Sequence, residues 1–249
     1  MEGDGGPALR FDHVFKSFDG SKVLDDVSFQ VAAGHAFCLL GRSGTGKSVT
    51  LKLMIGLMKP DRGAISIHGN EIQNLREAKL AEARKEVGFL FQDAALFDSI
   101  SVAENVAFPL RRHTHKSEKE IRAVVHEKLE EVELGKEGNK MPDELSGGMR
   151  KRAGLARALS LDPSILLIDE PSSGLDRITA AEIYQLLLEL KKKKNVTLVV
   201  VTHDVTGART FSNQFAVLDN GKIVGCGGAD ELAQSDNPLV RELSRGSET

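Results

Sequence analysis

The sequence is poor in aromatic and sulfur-containing residues, and these shortages narrow the kind of protein it encodes. It has no tryptophan, one tyrosine and two cysteines among 249 residues. Cys38 and Cys226 are too few for a disulfide framework, so we expect two buried thiols in a reducing compartment. Apolar runs such as Leu198–Val201 are four or five residues long, whereas a membrane-spanning helix needs about 20. We therefore expect a globular protein without a membrane-spanning helix.

Net charge is also small, at −3, and gives no sequence-wide electrostatic reason to bind nucleic acid. We expect no nucleic-acid partner.

The basic run Lys191–Lys194 stands at the predicted end of a helix carrying Leu187 and Leu190, where cations complement the helix dipole. We interpret this run as a solvated helix end. The segment Met1–Pro7 is acidic and glycine-rich, which predicts a flexible tail over residues 1–7 and not a secretory signal peptide.

Short apolar runs alternate with helical patterns along most of the chain. Strands are predicted at Val27–Val31, Ala36–Leu40, Val87–Phe91, Ile165–Ile168 and Val196–Thr202. A helix is predicted from Ser48, because its apolar residues recur at helical spacing: Leu51, Ile55 and Met58. Alternation of this kind indicates βαβ units, so the predicted fold class is α/β with a mainly parallel sheet.

The middle of the chain has a different pattern, with no convincing strand between residues 94 and 159. Ser117 and Glu120 have the spacing of a capping box at the start of a helix. One apolar stripe follows on that helix: Ile121, Val125, Leu129 and Val132. We expect a helical subdomain over about 94–159, inserted into a core formed by about 8–93 and 160–228.

The first chemical motif is a glycine-rich stretch between a predicted strand and a predicted helix: Gly41, Arg42, Ser43, Gly44, Thr45, Gly46, Lys47 and Ser48. Its glycines let successive N–H groups point into one concavity at the positive end of the helix. Lys47 is placed to meet the β- and γ-phosphate oxygens of ATP, and the Ser48 hydroxyl to ligate Mg²⁺. The alternative is a chance glycine-rich turn, which the flanking strand and helix disfavour.

A second motif is the pair Asp169 and Glu170, which ends the apolar run Ile165–Ile168. A carboxylate at the end of a buried strand is costly unless it meets a cation or a hydrogen-bonded network. Asp169 fits a Mg²⁺-linked ligand, and Glu170 is placed to polarise an attacking water. Alone, the pattern fits equally a strand that simply leaves the core; its weight comes from the preceding glycine-rich stretch Gly41–Ser48, which fits the P-loop pattern.

The third motif is Leu145–Met149, Leu-Ser-Gly-Gly-Met. Its serine is also explained as a plain helix N-cap beside loop glycines. However, the motif resembles the signature of ABC ATPases, and other elements of that family occur in the family's order. They are Phe18 for the aromatic residue that stacks on adenine, Gln92 for the Q-loop, Ser172–Asp176 for the D-loop and His203 for the switch histidine.

This resemblance covers about Leu9 to Ile223 and implies a single ABC-type ATPase domain over residues 8–243. The implied fold is a P-loop NTPase (RecA-like) core with a small antiparallel β part and the inserted helical subdomain. A C-terminal helical tail is expected at about 229–243. In two positions the sequence departs from the family pattern: Met149 stands where glutamine is usual, and Phe18 where tyrosine is commoner. Phenylalanine keeps the stacking face, so we expect an active enzyme.

The resemblance also implies a mechanism shared by two chains in a head-to-tail homodimer. Ser146 of one chain would contact the γ-phosphate held by Lys47 of the other. The implied catalytic residues are Glu170, which positions water, His203, which bonds the γ-phosphate, and Gln92, which senses Mg²⁺–ATP. The implied ATP-binding residues are Phe18, Gly41, Arg42, Ser43, Gly44, Thr45, Gly46, Lys47, Ser48, Ser146, Gly147, Gly148 and Asp176, and the implied Mg²⁺ ligands are Ser48, Gln92 and Asp169.

Rival members of the family differ in organisation. DNA-repair relatives carry a long coiled coil between the nucleotide motifs, and translation-factor relatives carry two cassettes; neither pattern is present. A stand-alone signalling or assembly ATPase stays open, and co-purification with a membrane protein distinguishes it from a transporter subunit. Lys140–Glu144 resembles the import-type sequence. Because the sequence ends soon after Leu243, we expect no sugar-importer regulatory domain.

Several segments resemble the Mce/Mla-type phospholipid transporters of bacterial envelopes: Phe89–Phe97, Asn105–Arg111, the signature with Met149, and Asn237–Arg241. This resemblance implies phospholipid cargo, integral-membrane permease subunits, a lipid-binding Mce-type partner and a peripheral position on the cytoplasmic side of the inner membrane. An importer for another small solute and a non-transport ATPase remain alternatives. Ala94–Phe97 is expected to line the groove that receives a permease helix, unless it packs inside the subdomain.

Overall fold

A computed structural model describes residues 6–245 of the chain. The predicted tail at 1–7 therefore lies mostly outside the described residues. The strands are β1 Leu9–Phe18, β2 Ser21–Val31, β3 Ala36–Leu40, β4 Arg62–Ile67, β5 Asn70–Glu71, β6 Val87–Leu90, β7 Ile165–Asp169, β8 Thr197–Thr202, β9 Gln214–Asp219 and β10 Lys222–Gly227. The helices are α1 Lys47–Met54, α2 Glu77–Lys85, α3 Val102–His113, α4 Glu118–Glu131, α5 Gly147–Ala158, α6 Arg177–Lys194, α7 Val205–Ala208, α8 Ala229–Ala233 and α9 Pro238–Arg245.

The strands form two sheets. The larger has the order β10-β9-β3-β8-β7-β6, and all its neighbouring pairs are parallel except β9 with β10. The smaller is antiparallel, in the order β2-β1-β4-β5. This architecture confirms the predicted α/β class with a mainly parallel sheet and a small antiparallel part.

The central strand β3 shows why the parallel sheet is buried on both faces. All five of its residues are buried, and successive side chains of a strand point to opposite faces. Cys38 and Leu40 belong to one hydrophobic core, whereas Phe37 and Leu39 belong to a second. The first core includes the middle helices, and the second includes the antiparallel sheet. A continuous apolar run is the pattern expected of a strand covered on both sides.

The segment between β6 and β7 is helical. Ser117 Oγ accepts from the Glu120 main-chain N–H at 3.4 Å, and Glu120 Oε2 accepts from Ser117 N–H at 2.7 Å, which forms the predicted capping box. The predicted apolar stripe on α4 is buried throughout. Among the described residues, 94–159 contain no strand. The limits of the subdomain remain a proposal, as does the tail at 229–243, where α8 and α9 lie.

Three details of the sequence interpretation are wrong. The helix from Ser48 ends at Met54 and does not reach Met58, because Gly56 takes a left-handed φ of 64°. Cys226 is exposed and only Cys38 is buried, since β10 is an edge strand with one neighbour. The run Lys191–Lys194 does end α6, but it is not wholly solvated: Lys194 Nζ lies 2.8 Å from Glu131 Oε1.

The helices of the described segment are all too short or too polar to cross a lipid bilayer.

Candidate nucleotide-binding site

The predicted motifs meet at one edge of the parallel sheet. Strands β3, β8, β7 and β6 are neighbours and run in the same direction, so their carboxyl ends share an edge, where ligands bind in open α/β sheets. The P-loop follows β3, Asp169 ends β7, His203 follows β8 and Gln92 follows β6. Residues far apart in sequence are thus brought to one site.

The P-loop connects β3 to α1 through two left-handed glycines. Gly44 has φ 80° and Gly46, the N-cap of α1, has φ 105°, a region that side chains disfavour. A Cβ on Gly41 would lie 2.6 Å from the Leu218 carbonyl oxygen. The loop therefore depends on glycine at these positions, and α1 directs its free N–H groups toward it.

Lys47 is a buried cation at the start of α1. Its Nζ donates to the carbonyl oxygens of Gly41, at 2.8 Å, and Arg42, at 3.0 Å. It also lies 3.8 Å from Glu170 Oε1. Burial lowers the pKa of Lys47, while the carboxylates of Glu170 and Asp169 act in the opposite direction. A phosphate oxygen placed over the loop would satisfy an ammonium that otherwise bonds only main-chain carbonyls and a distant carboxylate.

Asp169 and Ser48 form the part of the site suited to a hard cation. The Ser48 hydroxyl donates to Asp169 Oδ1 at 3.5 Å, and Asp169 is buried. Burial raises the pKa of Asp169, the Ser48 hydrogen bond lowers it, and the nearby Glu170 charge raises it. Residues 6–245 contain no cluster of three or more His, Cys, Asp or Glu side chains able to hold a metal. One carboxylate and one hydroxyl fit Mg²⁺, which takes its remaining oxygens from phosphates and water.

The Glu170 side chain lies between His203 and Lys47. Its Oε2 lies 2.9 Å from His203 Nδ1 and accepts from the His203 main-chain N–H at 3.3 Å. Its main-chain N–H donates to Val201 O at 2.8 Å, and its φ is 47°, in the left-handed region. This arrangement directs one carboxylate toward both His203 and Lys47. It suits a base that orients a water beside a bound phosphate.

Gln92 lies farther from the phosphate-binding elements. Its Nε2 donates to Ser173 Oγ at 3.3 Å, so its side chain faces the D-loop. Its main-chain carbonyl accepts from Lys151 Nζ, which also donates to Glu170 O at 3.0 Å. Lys151 was not among the predicted site residues. In the sequence, Lys151 is marked only by its place in the basic run Arg150–Arg152 after the signature. The structure buries Lys151 and leaves Arg150 and Arg152 wholly or partly exposed.

The signature glycines lie against the D-loop and the start of α6 of the same chain. Ser146 caps α5 by accepting from Met149 N–H at 3.3 Å. Cβ atoms on Gly147 and Gly148 would meet Leu175, at 3.2 Å, and Thr179, at 2.5 Å. Within residues 6–245 no hydrogen bond or ion pair joins these residues to the P-loop.

The remaining predicted residues occupy the margins of the site. Asp176 is the N-cap of α6: its Oδ1 accepts from the N–H groups of Ile178 and Thr179, both at 3.0 Å. Arg42 points to α9, where its guanidinium lies 3.4 Å from Glu242. Phe18 ends β1 and is 40% exposed, with Lys16 Nζ 5.3 Å from its ring centroid. The exposed part of the Phe18 ring can stack on a base.

Comparison with known proteins identifies the family of the chain. The family model described as ABC transporter matches residues 24–173. A protein from Mycobacterium leprae named probable ribonucleotide transport ATP-binding protein mkl is 47% identical over 98% of this chain and 72% of its own length. The intermembrane phospholipid transport system ATP-binding protein MlaF of Haemophilus influenzae is 40% identical over 91% of this chain and 86% of its own.

A solved structure gives the same result for the fold. A dimeric ATP-binding cassette in a post-hydrolysis state, bound to ADP and Pi, superposes with a TM-score of 0.82. It is 32% identical, and the match covers 88% of this chain and 98% of the cassette. A family model that spans most of the chain, close relatives over nearly its full length and a cassette fold all agree. The chain belongs to the ABC transporter family and is an ATP-binding, ATP-hydrolysing subunit of that family.

Proposed function

We propose that this subunit hydrolyses Mg²⁺–ATP at the sheet edge described above and thereby powers phospholipid movement in a bacterial envelope. The observation that carries the catalytic part is the position of Glu170, whose carboxylate lies 2.9 Å from His203 Nδ1 and 3.8 Å from Lys47 Nζ. A base, a switch residue and a phosphate-binding cation thus surround one small space.

Each residue has a separate task in this mechanism. The P-loop N–H groups and Lys47 bind the β- and γ-phosphates, and the Phe18 ring stacks on adenine. Ser48, Asp169 and Gln92 would hold Mg²⁺, which would neutralise negative charge on the phosphate oxygens. Glu170 orients the attacking water and takes its proton, while His203 bonds the γ-phosphate. Arg42, Ser43 and Thr45 shape the loop around the phosphates.

Two substitutions test the mechanism: one is expected to impair turnover and the other to impair ATP binding. Glu170→Gln keeps the size of the side chain and removes the basic oxygen, so we expect turnover to fall by about 10²–10⁴-fold while ATP still binds. Lys47→Ala should weaken ATP binding itself, because it removes the buried cation. Fluorescent-nucleotide binding and phosphate release are measured on both variants. Near-normal hydrolysis by Glu170→Gln would contradict the assigned role.

Two chains are needed to complete the site in this proposal. In its own chain Gly147 lies against Leu175 of the D-loop, and Gly148 lies against Thr179 of α6. The free N–H groups at the start of α5 then remain available to the γ-phosphate bound by a second copy. The dimeric state of the similar solved cassette supports a head-to-tail homodimer. Ser146→Arg should abolish nucleotide-dependent dimerisation, measured by light scattering with the Glu170→Gln protein as the positive reference. An ATPase rate independent of protein concentration in a monomer would contradict the shared site.

A groove beside Gln92 is the proposed docking site for a permease helix. It has a volume of about 370 Å³ and is lined by residues that include Phe89, Phe97, Phe108 and Arg157. Phe97 and Phe108 are 45% and 48% exposed, and their ring centroids are 4.9 Å apart. The expectation for Ala94 is wrong, because Ala94 is buried in the helical core. Exposed aromatic rings in a groove are typical anchors for a partner helix.

Phe97→Asp tests this docking site. A charge in the groove should abolish co-purification with the permease and stop transport, and ATP binding by the isolated subunit should stay intact. Leu57→Asp is a matched control, since Leu57 is a large apolar residue that is 55% exposed but absent from the groove lining. If Phe97→Asp unfolds the subunit, Phe97 is a core residue. If the variant stays folded and still binds the permease, the docking site lies elsewhere.

Phospholipid is the cargo that we propose, with support from the relative named for phospholipid transport. The relative named for ribonucleotide transport favours a second candidate. We further propose a lipid-binding Mce-type partner and a peripheral position on the cytoplasmic side of the inner membrane. Purification of the whole membrane complex and mass spectrometry of its bound molecules distinguishes the two cargoes: co-purified phospholipid supports the first, and a bound ribonucleotide that is not the ATPase substrate supports the second.

A further inference from the structure

Lys151 is a buried lysine that none of the mechanism above uses. It lies on α5, in the second turn after Ser146, and is 5% exposed. Its neighbours in the basic run differ from it, because Arg150 is exposed and Arg152 is partly buried. A buried ammonium loses its hydration and needs hydrogen-bond acceptors to offset that loss. The hydrogen-bond acceptors of Lys151 therefore indicate the role of this lysine.

The acceptors are two main-chain carbonyls of the candidate site. Lys151 Nζ donates to the carbonyl oxygens of Gln92 and Glu170, the latter at 3.0 Å. One side chain thus joins three segments: the Q-loop after β6, the end of β7 and the helix that follows the signature serine. Burial lowers the pKa of Lys151, and the charges of Asp93, Asp169 and Glu170 act in the opposite direction.

A hydrogen bond from Lys151 to the Glu170 carbonyl restrains the backbone conformation of Glu170. Glu170 has a left-handed φ of 47°, a conformation that is unfavourable for a residue with a side chain and persists only when its surroundings hold it. Its N–H donates to Val201 O at 2.8 Å, and its carbonyl also accepts from Ser173 N–H at 3.2 Å. The backbone that aims the Glu170 carboxylate is thus held from both sides, and Lys151 supplies the charged donor.

We propose that Lys151 is a positioning residue for ATP hydrolysis, which holds the backbones of Gln92 and Glu170 in register with the signature helix. A displacement of Gln92 or of the start of α5 is then transmitted to the carboxylate that orients water. This inference rests on the roles proposed above for Gln92 and Glu170. A buried lysine with a purely structural role would instead change stability and leave the properties of each folded active site unchanged.

Lys151→Met separates these two possibilities, because methionine keeps an unbranched apolar side chain and lacks the ammonium donor. We expect kcat to fall by about 10–100-fold, the usual effect of removing a group that orients a ligand or base. The KM for ATP should change by less than about threefold, because no contact to the P-loop is lost. The Mg²⁺ concentration for half-maximal rate should rise, since Gln92 loses its anchor. Rates are expressed per folded molecule, from a thermal unfolding curve of each variant.

Lys191→Met is the matched control. Lys191 is a partly buried lysine. Like Lys151, it donates from Nζ to a main-chain carbonyl, that of Phe211 at 3.4 Å, and burial lowers its pKa. We expect this variant to lose some thermal stability and to keep its kcat and Mg²⁺ dependence. If Lys151→Met does not fold, Lys151→Gln replaces it in the same measurements, because its shorter side chain cannot donate to both carbonyls.

Two outcomes overturn the inference. One is a Lys151 variant that hydrolyses ATP within about twofold of the wild-type rate per folded molecule. The other is a Lys151 variant whose rate falls while its Mg²⁺ dependence stays unchanged, together with the same fall in rate in Lys191→Met. Glu170→Gln is assayed alongside: if it retains turnover, the proposed catalytic role itself fails. If Glu170→Gln loses turnover while Lys151→Met keeps it, only the positioning role of Lys151 is wrong.

Discussion

Lys128→Met tests a buried ion cluster that connects α4 to α6 and to the loop before β7. Lys128 lies on α4 and is 1% exposed, and its Nζ is 2.6 Å from Asp162 Oδ1 and 3.1 Å from Glu127 Oε1. Glu131, whose side chain is 7% exposed, has its Oε2 3.8 Å from the same Nζ. Within residues 6–245 that oxygen accepts no hydrogen bond. Lys194 of α6 completes the cluster, 2.8 Å from Glu131 Oε1.

The size of the effect follows from what the substitution leaves behind. Methionine retains buried apolar volume and removes the ammonium, so the change is mainly electrostatic. Removing one member of a buried ion pair costs about 3–5 kcal/mol, because the other charge remains buried. Glu131 keeps Lys194, and Asp162 is largely exposed and can rehydrate. We therefore expect the free energy of unfolding to fall by about 3 kcal/mol, the lower end of that range.

Urea unfolding followed by circular dichroism measures this loss, with the m value compared between proteins. Lys85→Met is the matched control, because it removes the cation of a largely exposed helical ion pair, 2.8 Å from Glu82 Oε1, and it should cost less than about 1 kcal/mol. Equal losses in the two variants, or a loss below about 1 kcal/mol for Lys128→Met, would contradict the electrostatic account.

The same cluster predicts a pH dependence. Burial raises the pKa of Asp162, but the Lys128 hydrogen bond and charge outweigh it and hold the pKa below its ordinary value of 3.8. A lowered folded-state pKa stabilises the protein above the unfolded value, and the stabilisation is lost as pH falls through the folded value. The stability difference between wild type and Lys128→Met should therefore stay constant above about pH 5. It should narrow below pH 3.8.

Two further predictions concern the cap of α4 and the two thiols. Ser117→Ala removes the acceptor of the capping box and should cost about 1 kcal/mol in the free energy of unfolding; exposed Ser99→Ala is the control, and equal stability of both variants would contradict the capping role. Iodoacetamide should alkylate Cys226 in the native protein and Cys38 only after unfolding, as read by mass spectrometry. Desolvation of its sulfur raises the pKa of Cys226 above its ordinary 9.0, although the residue as a whole is exposed. Its alkylation should therefore continue to accelerate as pH rises beyond 9.0, and native labelling of Cys38 would contradict the burial of that thiol.

Features that depend on neighbours in sequence were predictable. The strand Ala36–Leu40 matches β3 residue for residue, because a short run of apolar residues followed by a glycine is typical of a buried parallel strand. The capping box at Ser117 likewise needs only two side chains three residues apart. The P-loop is also local, since its glycines and Lys47 all lie within the stretch Gly41–Ser48.

Strands with irregular patterns were missed. In β1 the apolar alternation is broken at His13, which has a left-handed φ of 50°, and the pairing with β2 shifts register nearby. The edge strand β10 contains Gly225 and has exposed or partly buried side chains throughout. Neither pattern has the strict period of a half-buried strand, so tertiary pairing and not local preference determines these strands.

By itself, then, the sequence determined the order of the chemical motifs, the α/β class and the phosphate-binding loop, because each depends on residues close together in the chain. Only the tertiary structure decided which residue of the run Arg150–Arg152 is buried, and that Lys151 reaches the carbonyls of Gln92 and Glu170. It also decided that Cys226 is exposed and that Lys194 joins Glu131. These contacts join segments that meet only when parallel strands align their ends, and no local pattern encodes that alignment.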